Sequence, residues 1–283
     1  MNRKSLFCIV IVFFLTQLIA RSQDNTQIAN QEDSINIYFS EIANSAIDNY
    51  KILESQKIER IFKVILSDPS SYSYSFDSLK LVGKLYAPDK SFRLFTWNIP
   101  LEDGTYRYYG FIQAYNEKNK SVKLFELTDR YNEIKFTENS VLSAGKWYGA
   151  LYYKILRNKV QNHVYYTLLG LRYNDIFVSQ KIIEVLYFDE YDNPVFGAPL
   201  FSVDNKTKLR IVFQFSARVM MNLKYDEKAK MIVFDHLEPS ESRYKGDYQY
   251  YGPDLTYDGF EFKKNMWQFR SNLDIRREDT SAR

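Results

Sequence analysis

Cysteine and histidine are scarce in this sequence, and their scarcity excludes several chemistries. The 283 residues include one cysteine, Cys8, and two histidines, His163 and His236. One cysteine cannot close an intrachain disulfide, and two histidines cannot build a three-histidine zinc centre. Glycine and proline are also few, with 10 and 7 residues, which excludes collagen-like and low-complexity chains. Because cysteine and histidine ligands are so few, we predict no metal site.

The short motifs of common enzyme families are missing as well. The sequence holds no G-x-x-x-x-G-K-[ST] or G-x-G-x-x-G loop for nucleotide phosphates, no G-x-S-x-G nucleophile turn and no H-E-x-x-H pair. The sequence therefore predicts no cofactor and no catalytic residues. Apolar and aromatic side chains are plentiful instead, at 45% and 17%, which is enough for a folded core.

The first 22 residues have the parts of a secretory signal peptide. Asn2-Arg3-Lys4 is a basic start, residues 6–20 form an apolar run, and Ala20-Arg21-Ser22 places small residues at the cleavage positions. A helix of this run would rise about 22 Å, less than the roughly 30 Å of a hydrocarbon core, which favours a cleaved signal over an anchor. We predict that residues 1–22 are a signal peptide and that the protein is exported.

Cleavage of this segment would change the charge balance. Three basic residues, Arg3, Lys4 and Arg21, would be removed with it, leaving 35 basic and 35 acidic side chains. These are interleaved along the chain, whereas a nucleic-acid surface needs clustered basic residues. No later segment is apolar enough to cross a membrane as a helix. We predict no nucleic-acid partner and no transmembrane helix after residue 22.

The N-terminal part of the chain changes character twice. Residues 23–33 are polar and predict a mobile leader, whereas apolar residues recur at helical spacing over 34–68. Proline disfavours helix at the residue before it, so Asp68-Pro69 should end the helical segment. The pattern is compatible with one helix or with two that are broken near residues 50–56.

From residue 72 to residue 270 the sequence predicts an antiparallel β domain. Tyr72, Tyr74 and Phe76 alternate with serine, and roughly a dozen aromatic-rich runs follow, joined by short turns such as Asp103-Gly104. Short turns favour antiparallel neighbours, because parallel strands need long crossovers. The fold class is therefore mainly β, with sandwich-like antiparallel sheets or, as second choice, an irregular propeller, and an N-terminal α-helical segment. Residues 271–283 are predicted to be a polar tail.

The segment from Glu238 to Gly259 is the predicted location of a binding site. Loops of this length are uncommon in domains unless they form a lid or a binding surface. Tyrosines here offer flat faces to sugar rings or peptides, and paired carboxylates are the machinery of glycosidases. The same acids also suit ordinary turns. The candidate ligand-binding residues are Tyr248, Tyr251, Asp254, Asp258 and His236.

His236 is included because a carboxylate that holds an imidazole can make it a general base. Its neighbour Asp235 cannot do this, because adjacent residues of a strand point to opposite faces. His236 would have to pair with an acid from another segment.

Three aromatic runs carry a resemblance to a group of proteins. The runs are residues 147–153 (WYGALYY), 233–237 (VFDHL) and 257–260 (YDGF). They resemble segments of exported Gram-negative bacterial proteins that have no assigned activity, over most of the chain after residue 80. The resemblance implies a periplasmic or cell-surface location, and it assigns no site.

Two functions remain in competition at this point. The first is an exported, non-catalytic binding or structural protein of the cell envelope, with an envelope glycan or protein as partner. The alternative is a glycan-directed hydrolase that uses a carboxylate pair within residues 247–258.

Overall fold

The computed structural model describes residues 25–274, so the predicted signal peptide and the last nine residues of the predicted tail lie outside the described part. The chain divides into two units. The first contains the described residues up to Val82 together with Gln113–Leu124, and the second contains Gly83–Ile112 and the chain from Phe125 onward. Within residues 25–274, no helix has the length and apolar character needed to span a membrane.

The first unit begins with two helices, so the predicted helical segment is not a single helix. Helix α1 covers residues 25–44 and helix α2 covers Asp48–Ser67, so the break lies at residues 45–47. The predicted position of the break, near residues 50–56, is wrong, because these residues lie within α2. Helix α1 buries one stripe of side chains at intervals of four and three residues, the spacing of a helix face that packs on a core. These side chains are Ile28, Glu32, Ile35, Phe39 and Ile42.

The predicted polar leader over residues 23–33 is therefore wrong for its described part. Residues 25–33 are helical, and the acid Glu32 occupies a core position. Its carboxylate accepts hydrogen bonds from Tyr74 Oη (2.8 Å), Ser78 N (2.8 Å) and Leu79 N (3.2 Å). A buried carboxylate is tolerated when donors surround it, and a hydropathy pattern cannot detect those donors.

Helix α2 ends where the sequence predicts. Asp68 accepts a hydrogen bond from Ser70 N and caps a short 3-10 helix, Pro69–Ser73. Gln113 donates to the carbonyl of Leu66 (2.7 Å), which satisfies one of the last carbonyls of α2. The alternation of Tyr72, Tyr74 and Phe76 does not make a strand, because the chain turns within the 3-10 helix.

A four-stranded antiparallel meander follows. Its turn at Asp103-Gly104 has Gly104 at φ 79°, a conformation that glycine adopts without strain. The order across the sheet is the order along the chain. The strands are β1 (Gly83–Tyr86), β2 (Phe92–Pro100), β3 (Tyr106–Asn116) and β4 (Ser121–Thr128).

The second sheet has six strands, in the order β5-β9-β8-β7-β6 with β12 paired to β8. Its centre is formed by long hairpins, as the aromatic and β-branched runs predict. The strands are β5 (Leu142–Ser143), β6 (Leu151–Val160), β7 (His163–Tyr173), β8 (Val178–Phe188), β9 (Pro194–Phe196) and β12 (Arg210–Ser216).

The third sheet also has six strands, in the order β11-β10-β16-β15-β14-β13. The predicted last hairpin is present, with Lys264 and Asn265 at positive φ in its two-residue turn. One pair, β10 with β16, is parallel and departs from the antiparallel prediction. The strands are β10 (Phe201–Val203), β11 (Lys206–Lys208), β13 (Leu223–Asp226), β14 (Met231–Pro239), β15 (Tyr251–Lys263) and β16 (Met266–Arg270).

The two six-stranded sheets share one apolar core within the second unit. Ile183 and Val185 of β8 pack in the same cluster as Phe234 of β14 and Phe260 of β15. Trp267 of β16 donates from Nε1 to Thr167 Oγ1 of β7 (2.9 Å), so a hydrogen bond also joins the two layers. The mainly β, antiparallel fold class with N-terminal helices is confirmed.

Candidate functional site

The predicted loop is mostly a twisted hairpin. Strand β14 continues to Pro239 and β15 begins at Tyr251, so only residues 240–250 form a loop. The long-loop prediction is wrong for residues 251–259, because they belong to β15, and residues 251–253 and 257–259 pair with β14. Pro253 and Gly259 suggest turns in the sequence, yet both lie within the strand.

A bulge in this hairpin surrounds His236. Asp235 pairs with Tyr257 and Leu237 pairs with Pro253, so three residues of β15, residues 254–256, lie opposite the single residue His236. Thr256 donates from its backbone N (2.9 Å) and from Oγ1 (2.7 Å) to Asp254 Oδ1, which closes the bulge. Bulges redirect side chains and are frequent beside functional sites.

His236 lies between two carboxylates. Its Nδ1 is 2.6 Å from Asp258 Oδ2, and its Nε2 is 3.2 Å from Glu238 Oε1. Glu238 is two residues along the same strand and therefore shares the face of His236, whereas Asp235 points to the opposite face and binds Asn222. The acid from another segment that His236 requires is thus Asp258.

The electrostatics of the site favour the imidazolium form. The hydrogen bond to Asp258 raises the pKa of His236 above its ordinary value, with further contributions from Glu238 and from the charge of Asp254. Asp258 is buried, and its other oxygen accepts from Asn272 N (3.0 Å). The hydrogen bonds from Thr256 lower the pKa of Asp254.

The tyrosines lie on the loop next to this cluster. Tyr244 and Tyr250 stack with ring centroids 3.9 Å apart, and Tyr248 packs at 5.1 Å against Tyr251. Tyr251 accepts a hydrogen bond from Gly246 N (2.9 Å) and packs against the core, so it supports the loop. Tyr248 and Tyr250 remain exposed.

The structure therefore brings His236, Asp258 and Asp254 together and places Tyr248 and Tyr251 in one aromatic pair beside them. Each carboxylate already accepts hydrogen bonds from the protein, and in the described residues no hydroxyl group hydrogen bonds to His236 Nε2. Both ring nitrogens of His236 are therefore hydrogen bonded to carboxylates.

A second polar cluster is fully buried in the second sheet. Glu184 and Arg210 form an ion pair in which neither side chain reaches solvent. Tyr152 donates to Glu184, and Trp147 Nε1 donates to Tyr152 Oη (3.0 Å). Burial raises the pKa of the Tyr152 hydroxyl well above its ordinary value. All four side chains are buried, so this cluster is part of the core of the second unit.

A third cluster, centred on Arg172, is also structural. The guanidinium lies between the rings of Tyr108 (4.5 Å) and Tyr131 (4.1 Å) and donates to the carbonyl of Gly149 (2.8 Å). It also pairs with Asp129 at 3.3 Å. Gly149 has φ 75°, and a β-carbon there would lie 2.5 Å from Arg172 Nη1.

The site includes several residues that the sequence analysis does not predict. Glu238 and Tyr250 complete the polar and aromatic groups, and Asn272 fixes Asp258 through its backbone. The i, i+2 spacing of His236 and Glu238 was a usable signal. The contribution of Asn272 was not visible, since it lies in the predicted polar tail.

No metal centre is evident in the described part of the chain. Within residues 25–274, no group of three or more His, Cys, Asp or Glu side chains has an arrangement that could hold a metal ion. Comparisons of the chain with models of protein families, with curated proteins and with solved structures gave no match in any of the three.

Proposed function

We propose that this is an exported, non-catalytic binding protein of the cell envelope, and that its binding surface is the tyrosine loop, residues 240–250, together with His236. The partner is an envelope glycan or an envelope protein. Export rests on the signal-like sequence of residues 1–22 and on the resemblance to exported Gram-negative proteins.

The observation that carries this proposal is the exposure of Tyr248 and Tyr250 on a loop that is held by backbone hydrogen bonds. Ser240 N donates to Tyr250 O (2.9 Å) and Asp247 N donates to Tyr244 O (2.9 Å). A preorganised surface loses little conformational entropy on binding. Tyrosine adds an apolar face and a hydroxyl, which suit both sugar rings and protein surfaces.

The hydrolase alternative has less support. A glycosidase needs one carboxyl group that donates a proton and another that attacks the sugar or activates water. Asp254 is engaged by Thr256, and Asp258 is buried between His236 and Asn272. These bonds favour structural roles for both acids.

The test is a binding screen of residues 23–283 against glycans, peptidoglycan fragments and envelope proteins. We expect a ligand whose affinity falls about 5- to 10-fold in each of the variants Tyr248→Ser and Tyr250→Ser, the size of an aromatic contact at an interface. Tyr191→Ser is the matched control, because Tyr191 is an exposed tyrosine on the turn between β8 and β9.

Absence of binding to every probe would count against the proposal. An equal loss of affinity in Tyr191→Ser would count against the tyrosine loop as the binding surface.

A further inference from the structure

Several of the most exposed apolar side chains of the second unit lie on connections at one end of its two six-stranded sheets. Met220 is 90% exposed and Leu255 is 89% exposed, and Ile176 and Phe177 are also exposed. They lie on the turn 174–177 between β7 and β8, on the connection 217–222 between β12 and β13, and on the bulge 254–256. We call these four side chains the apolar tips.

Hydrogen bonds and packing show that these connections are neighbours. Ala217 N donates to Phe177 O (2.8 Å), which joins the first two connections. The Val219 side chain lies 3.6 Å from the point where a β-carbon on Gly252 would be, which joins the second connection to β15 just before the bulge. The tips therefore project from adjoining connections of both sheets.

The exposure of Met220 and Leu255 means that almost no protein atom packs against them. They protrude from the surface and do not line a groove. Leu255 has φ 74°, a left-handed conformation that is unfavourable for a branched side chain, and the bonds between Thr256 and Asp254 hold it there. Strain that is maintained by surrounding bonds is typical of functional positions.

We infer that the apolar tips insert into the interfacial region of a lipid bilayer. This inference rests on the envelope location in the proposed function and goes beyond it, since it adds a lipid surface to the glycan or protein partner. Acyl chains are fluid and can surround each protruding side chain separately, whereas a folded partner would need a matching pocket for each one. Apolar side chains buried at the headgroup boundary supply the affinity of such contacts.

The residues around the apolar tips are of types that suit the headgroup region of a bilayer. Tyr248 and Tyr250 have amphipathic rings of the kind that lie at headgroup level, and Arg218, next to Val219, has a long side chain that can extend toward phosphates. The nearby charges are mixed, with Lys245 beside Asp247 on the same loop. Attraction to the bilayer should therefore depend little on ionic strength.

The test is sedimentation of residues 23–283 with vesicles of phosphatidylethanolamine and phosphatidylglycerol. The double variant Met220→Ser/Leu255→Ser should bind the vesicles about a hundredfold more weakly, about tenfold for each side chain. The control Phe136→Ser/Tyr191→Ser removes two other exposed side chains and should bind normally. Raising sodium chloride from about 0.1 M to about 0.5 M, which shortens the Debye length about twofold, should change the binding less than twofold.

Three results would overturn the inference: no sedimentation of the unmodified protein, equal weakening in the control, or a dimer in solution that only the double variant of the tips dissociates. The last result would identify the surface as a contact between two copies. If vesicle binding is absent while a ligand still depends on Tyr248 and Tyr250, the lipid inference fails and the proposed function stands. If both are absent, both fail.

Discussion

Replacement of Glu184 by alanine should destabilise the second unit severely. Glu184 neutralises Arg210 inside the protein, where neither side chain is exposed, and it also accepts a hydrogen bond from Tyr152. Without the carboxylate, the Arg210 charge would keep hydrogen bonds to backbone carbonyls of Thr137 and Ser140 but would have no anion beside it. Breaking a buried ion pair by removing one partner leaves an uncompensated charge in a medium of low polarity.

The expected loss is about 3–5 kcal/mol in the free energy of unfolding. The Tyr152 hydroxyl would also lose its acceptor, at a cost of about 1–3 kcal/mol if no other group replaces it, although the two effects share one site and do not simply add. Domains of ordinary stability unfold with about 5–15 kcal/mol, so this loss would remove a large share of the stability of the second unit.

Urea denaturation followed by tryptophan fluorescence measures this loss in the relevant unit, because Trp97, Trp147 and Trp267 all belong to the second unit. The matched control is Glu227→Ala, which breaks the exposed pair with Lys154 (2.9 Å). Exposed pairs contribute about 0–1 kcal/mol, so this variant should unfold almost like the unmodified protein. A loss below about 1 kcal/mol for Glu184→Ala would refute the reasoning, because it is no larger than the effect of an exposed pair.

Two further predictions concern Gly149 and His236. Gly149→Ala should lower the free energy of unfolding by about 2–4 kcal/mol, because its β-carbon would lie 2.5 Å from Arg172 Nη1 at positive φ. Gly145→Ala is the control and should change it little, because the nearest atom to its β-carbon, Ser143 Oγ, is 4.0 Å away. The hydrogen bond to Asp258 raises the pKa of His236 in the folded protein above about 6.5, its pKa in the unfolded chain. The stability that this pair contributes is therefore complete below about pH 6.5 and is lost as the pH rises through the pKa of the folded protein. Urea midpoints from pH 5 to 9 should show this loss, and His236→Gln should abolish it; an unchanged profile would contradict the assignment.

The alternation of apolar and polar side chains along the sequence predicts most of the β domain. The aromatic runs after residue 92 and their short polar turns correspond to hairpins, because alternating side chains and tight turns depend on local sequence. The strand that the alternation at residues 72–76 predicts is absent, because Pro69 and the cap by Asp68 impose a 3-10 turn. Helix α1 was predicted too short because buried Glu32 looks polar in the sequence, while its three donors come from residues 74–79.

The candidate site could be predicted only in part. That His236 needs an acid from another segment follows from strand geometry, but the choice of Asp258 depends on the register of β14 and β15 and on the bulge between them. The exposure and the positive φ of Leu255 also result from that bulge. Positive φ is usually marked in a sequence by glycine or asparagine, and residue 255 is neither. Such features arise from pairing between strands, which a local pattern does not encode.

The single parallel pairing in the third sheet sets an order for assembly. Strand β10 reaches the rest of that sheet through Phe201 and Ser202, which lie beside Trp267 and Gln268 of the last strand. The short hairpin of β10 and β11 therefore has no other strand of this sheet to pair with until residues 266–270 are in place. A polypeptide that stops before Met266 would leave this hairpin unattached and would expose Phe201 and Phe260, so completion of the sheet waits for its C-terminal strand.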